Sequence, residues 1–141
     1  MPSPLTQTET QTEQMRFAIR AVAVLAALSF SVTLAFVAAA MRNGALMEIF
    51  SRGAFGAATA FEWGVTLTAG PLVAIELWRF RERGRRVGLV LFGSGLLYYV
   101  VGLFAWKSLV APLRPIVLAM AIYAAPVILL LLSAGWFRRR V

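Results

Sequence analysis

Residues 17–41, FAIRAVAVLAALSFSVTLAFVAAAM, decide the fold. The stretch holds one charge, Arg20, and only Ser29, Ser31 and Thr33 otherwise interrupt it. It is longer than the roughly 20 residues an α-helix needs to cross a hydrocarbon core. Its apolar residues run on without alternating, which argues against a barrel strand. Ala38-Ala39-Ala40 offers small residues where a leader could be cleaved, but the run far exceeds the about 7–15 apolar residues of a signal peptide. The reading is therefore a first transmembrane helix.

Three more such stretches follow, at about 56–78, 87–106 and 116–136, each bounded by basic residues, prolines or both. Between the first two, Leu46, Met47, Glu48, Ile49, Phe50 and Arg52 mix apolar and charged groups, as in a short amphipathic segment at the interface or the opening turns of an extended second helix. Upstream, residues 1–14 are a Thr/Gln/Glu-rich leader with little apolar content, predicted to be a disordered tail. The expected fold is all-α: residues 15–141 form a four-helix membrane bundle of two antiparallel hairpins.

Composition agrees. The chain has 141 residues, 60% of them hydrophobic and 14% charged, against about 25% charged in soluble domains. The net charge of +8 would suggest nucleic acid in a soluble protein, but these basic residues flank apolar runs and read as topology signals, so no nucleic-acid partner is expected. With no cysteine, histidine or aspartate, thiolate and imidazole metal sites, haem ligation by histidine and the familiar catalytic triads are excluded. Neither metal nor cofactor is expected.

Orientation follows from the cations. Arg16, Arg20, Arg79, Arg81, Arg83, Arg85, Arg86 and Arg138 to Arg140 fall on one side; Arg42, Arg52, Lys107 and Arg114 fall on the other. The richer side belongs in the cytoplasm, together with both termini. Trp78, Trp106 and Trp136 mark span ends as an aromatic belt does. A multi-pass protein of a bacterial cytoplasmic (plasma) membrane is the expected setting.

Inside a bilayer helices associate through close contact of small residues. Ala23, Ala27, Ser31, Ala35 and Ala39 recur at every fourth position of the first span, and Gly56, Ala60, Gly64 and Thr68 do so on the second. The expectation is that stripe packs on stripe. Gly88, Gly95 and Gly102 stand at heptad spacing on the third span and leave a groove along one face.

The second span carries two acids. Glu62 and Glu76 are separated by ~21 Å along a helix, so they do not form a catalytic pair. Glu76 is expected to form an ion pair, with Arg20 at a similar depth on the first span and Arg79 three residues along its own helix as the cations at hand. Glu62 shares its face with Thr59 and Thr66 and is either a polar contact that orients a partner helix or a proton- or cation-exchanging group. Tyr98, Tyr99 and Tyr123 are deep enough to need acceptors and to join Glu62 or Ser94 in one network. Arg79, Arg81, Arg83, Arg85 and Arg86 anchor the topology and are candidates for anionic lipid head groups.

Short loops, many packing faces and the lack of reactive groups favour a non-enzymatic accessory or assembly subunit, with the bilayer and other membrane proteins or a second copy as partners. The alternative is a small oligomeric proton-coupled transporter or cation channel using Glu62. A third reading is an integral membrane enzyme acting on a lipid-like substrate.

Overall fold

A computed structural model describes residues 4–105 and 113–138. Six helices follow in order: α1 (Pro4–Arg42), α2 (Ala45–Phe50), α3 (Gly53–Trp78), α4 (Glu82–Ala105), α5 (Leu113–Leu132) and α6 (Ala134–Arg138). No strand occurs among the described residues, and α1, α3, α4 and α5 are long and apolar enough to cross a membrane.

Two boundaries depart from expectation. Residues 4–14, expected as a disordered tail, continue α1 as helix. The adjoining span removes the cost of nucleation, so each further turn needs only propagation. The fourth long helix, α5, stops at Leu132 instead of running to Trp136. There Ser133 Oγ donates to the Leu130 carbonyl at 3.0 Å, Arg85 Nη1 reaches the same oxygen at 3.5 Å, and the chain restarts as α6. Donors at the last carbonyls terminate a helix and satisfy its end.

Within segment 42–55, Ala45–Phe50 form a separate six-residue helix, α2, with no buried residue, and α3 begins at Gly53. Gly44, at φ 70°, supplies the left-handed turn out of α1 that an L side chain adopts only at a cost. Gly56 then lets the end of α2 rest on α3, for a Cβ there would lie 2.5 Å from the Ile49 carbonyl oxygen.

The long helices contact one another chiefly in the order α1–α3, α3–α4, α4–α5, whereas α1 and α5 touch only sparsely. The bundle is an arc whose two edges nearly meet. Its core gathers Ile19, Val22, Ala23 and Ala26 of α1, Val73 and Leu77 of α3, Leu91 and Phe92 of α4, Leu130 of α5 and Phe137 of α6.

This packing corrects the expected stripe. Ala23 and Gly56 are buried, but Ala27, Ser31, Ala35, Ala39, Ala60, Gly64 and Thr68 are exposed. The Ser31 and Thr68 hydroxyls donate to carbonyls of their own helices at 2.9 and 2.7 Å. A strict four-residue spacing turns by ~40° per step on a helix of 100° per residue, so the stripe leaves the contact face after a turn or two. The α1–α3 contact uses Ala26 and Gly70 instead, where a Cβ on Gly70 would stand 3.0 Å from Phe30 Cβ. Gly88, Gly95 and Gly102 are all buried.

Candidate functional site

Helix α3 buries Gly56, Thr59, Glu62, Thr66, Gly70, Val73, Glu76 and Leu77. Their steps of three and four keep them on one side of the helix, and Thr59, Glu62, Thr66 and Glu76 among them point into the bundle while Thr68 stays exposed. Pro71 in the same helix provides no N–H, so the carbonyl four residues earlier, at Leu67, loses its backbone partner.

The two acids of α3 meet different company. Glu76 does not pair with Arg20 as expected. Its Oε1 accepts from Arg81 Nη1 at 3.4 Å, while the Arg20 guanidinium lies 5.2 Å from the ring centre of Trp78 and 5.3 Å from that of Phe80. The turn after α3 brings Arg81 back over the helix end, through the bond from Arg81 N to the Glu76 carbonyl at 2.9 Å. A local loop partner thus wins over one on a neighbouring helix, and Arg20 gains ring faces of the kind that attract guanidinium groups.

Glu62 is 7% exposed and forms no salt bridge among the described residues. Thr66 Oγ1, one turn along, donates to its Oε1 at 3.1 Å. The Tyr123 hydroxyl of α5 approaches the Glu62 carboxyl and the Ser29 hydroxyl of α1. Thr59 Oγ1 donates to the Phe55 carbonyl at 2.8 Å, which commits its proton. The 3.0 Å contact between Thr59 and Tyr98 is therefore donated by the tyrosine. Tyr98, Tyr99 and Tyr123 form a continuous aromatic wall, with ring centres 5.3 and 5.5 Å apart along it. Tyr123 reaches Glu62 across α4 because Gly95 has no side chain: the Tyr123 ring occupies the space a Cβ would fill.

This network faces a cavity of about 620 Å³ at the α2 end of the bundle. Glu62, Thr59 and the three tyrosines form its polar side; Leu25, Leu28, Val32 and Phe36 of α1 and Ile122 of α5 form its apolar side. A second cavity of about 170 Å³, between α3 and α4, reaches Glu62 and Tyr98 from the other side, with Ser94 in its lining. Ser94 itself donates to the Leu91 carbonyl at 3.0 Å.

Of the polar candidates read from the sequence, Glu62, Thr59 and Tyr98 line the cavity, while Thr66 acts behind it on Glu62. Ser29, Thr33, Trp63 and Arg52 also line it and were not singled out. Ser29 and Thr33 stand one turn apart among apolar neighbours, the one signal that could have marked them. Arg52 is held by Glu48 at 2.7 Å. Of the cations assigned by sequence to the charge-poor side, Arg114 is exposed and Lys107 lies outside the described residues.

The arginine segment divides. Arg79, Arg81, Arg83 and Arg86 are exposed, whereas the Arg85 side chain is only 11% exposed, donates Nε to Glu82 Oε2 at 2.8 Å and reaches the end of α5. Arg85 thus directs its donors to Glu82 and to the Leu130 carbonyl at the end of α5, inside the bundle. No group of three or more acidic, histidine or cysteine side chains suited to a metal occurs among the described residues. Comparison with protein-family models, curated proteins and solved structures gives no match.

Proposed function

We propose that this is a small non-enzymatic membrane carrier in which Glu62 exchanges a proton or another cation with the cavity before it. The observation that carries the reading is an acid 7% exposed, held by hydroxyls and bordering about 620 Å³ of open space. An ionisable group within a span costs on the order of 3 kcal/mol at the helix centre when charged, and such groups mark ion and substrate pathways. Purely structural polar contacts do not need a cavity. In this scheme the basic end lies in the cytoplasm, the cavity belongs to the opposite half of the membrane, and Glu62 carries charge only while a cation accompanies it.

The test is reconstitution in liposomes with an internal pH indicator under an imposed proton gradient. Wild type is expected to dissipate the gradient and Glu62→Gln, similar in size, to abolish that flux while keeping its helical content and elution volume. Equal flux from a folded Glu62→Gln protein defeats the proposal.

A second reading, an accessory subunit, is favoured by a different observation. Ala27, Ser31 and Ala35 on α1 and Ala60, Gly64 and Thr68 on α3 are exposed small residues on spans, where close helix contacts form. Native mass spectrometry of the protein extracted from its own membrane separates the two: stable attachment to other proteins supports the subunit, a lone or homo-oligomeric species the carrier.

A further inference from the structure

Resting on the carboxyl-cavity reading above, we infer that the occupant is a monocationic amphiphile, an alkylammonium head beside Glu62 with an apolar tail leaving between α1 and α5.

Three observations lead there. The first is size. At ≈ 30 Å³ per water, about 620 Å³ holds on the order of twenty waters. A bare metal ion seeks several oxygen ligands at close range, and no three acidic, histidine or cysteine groups converge among the described residues. The space instead matches the range of organic-ligand cavities, roughly 300–1,000 Å³.

The second is how charge and aromatic surface are arranged. Glu62 is the acid of the deep wall, and the cation in the lining, Arg52, is engaged by Glu48 at 2.7 Å. Tyr98, Tyr99 and Tyr123 stand beside Glu62 as a wall of rings. A carboxylate next to several aromatic rings suits alkylated ammonium, which draws on both ion pairing and cation–π attraction and needs no directional hydrogen bond.

The third is the way in. The sparse contact between α1 and α5 leaves the arc least closed on the side where Leu28, Val32, Phe36 and Ile122 line the cavity. An apolar seam facing lipid accepts an alkyl chain and gives a polar head no reason to stop there. The head therefore travels inward to the acid while the chain stays in the seam.

The chain has no cysteine, so a single engineered thiol reports occupancy. Thr33→Cys lies in the cavity lining; Ala35→Cys lies outside that lining and is exposed. Both would be placed in the full-length protein in nanodiscs of zwitterionic lipid and labelled with a maleimide in the presence of dodecyltrimethylammonium, tetramethylammonium, dodecanol or sodium ion. Dodecyltrimethylammonium is expected to slow labelling of Thr33→Cys and leave Ala35→Cys unchanged, which removes simple partitioning into lipid as the cause. Adding Glu62→Gln should raise the protecting concentration at least about tenfold. Val32→Trp, which fills the seam and spares the acid, should weaken dodecyltrimethylammonium while leaving tetramethylammonium unaffected.

Equal protection by dodecanol overturns the cationic head, and equal protection by tetramethylammonium overturns the tail. Protection by sodium alone overturns the whole amphiphile assignment while proton flux through Glu62 stands. Equal proton flux from a folded Glu62→Gln protein in the liposome test would instead remove the reading beneath it.

Discussion

Glu62 and Glu76 stand on one helix with the same 7% exposure, yet their neighbours make them different groups. Glu76 lies at the end of α3, where the turn returns Arg81 to it at 3.4 Å, so its charge is matched locally. Glu62 has hydroxyls around it and a cavity in front. An acid matched by a cation is a structural fastener, whereas one that meets only hydroxyl groups is the kind of group the proposed carrier requires. Gly95 holds that arrangement open by yielding its side-chain space to Tyr123. Gly95→Val is expected to cost about 1–3 kcal/mol through overpacking and to force Tyr123 from Glu62. Gly93→Val, where nothing lies within 4 Å, should stay within about 0.5 kcal/mol. Thermal unfolding of the two variants in one detergent decides it; equal destabilisation would mean that Gly95 has no special place. Glu62 was visible in the sequence because an acid inside an apolar run has no cheap explanation. Tyr123 as its neighbour was open among several hydroxyls, for nothing in a linear string says which of three tyrosines turns toward the acid.

Among the helices, spacing separates the expectation that failed from the contacts that formed. Ala23 to Ala39 at every fourth residue turns through about 160° over the stripe, so no straight neighbour can follow it. Gly88, Gly95 and Gly102 drift by only ~20° per heptad, and all three are buried. The true contact face of α1, Ile19, Val22, Ala23 and Ala26, mixes steps of three and four, whose mean tracks the helix. Counting small residues therefore overstates a contact unless the drift is added up. The difference is testable on α3. Gly70→Leu should lower the unfolding temperature and loosen α1 from α3, since even a Cβ there meets Phe30 at 3.0 Å. Gly64→Leu should leave unfolding unchanged, there being nothing within 4 Å of its position. If Gly64→Leu also strips away a co-purifying membrane protein, the exposed stripe is a contact for that partner and the accessory-subunit reading gains at the expense of the carrier.

Across the whole molecule, the main cluster of arginines and the Glu62 cavity lie toward opposite ends of the bundle. Arg20 lies over Trp78 and Phe80, Phe80 packs edge-on to Trp136 at 5.6 Å, and Arg85 reaches the end of α5. One end of the arc therefore carries arginines from α1, the α3–α4 turn and α4, while the cavity opens toward the α2 end. Basic flanks of short loops stay in the cytoplasm, which yields a direct expectation. In intact cells a membrane-impermeant maleimide should label Asn43→Cys, and Arg83→Cys only after permeabilisation. The opposite pattern inverts the proposed orientation and turns the cavity toward the cytoplasm. The sequence by itself determined the number of spans, their approximate limits and the clustering of arginines. Each rests on local run length and on charge at run ends, and both are properties of neighbouring residues. Only the tertiary structure decided which faces meet, that Glu76 turns to Arg81 instead of Arg20, that Arg85 faces inward and that Glu62 borders open space. Those outcomes depend on how four rods rotate about their own axes. In lipid, that rotation is set by side-chain fit between helices, because burial of apolar surface no longer distinguishes one face from another.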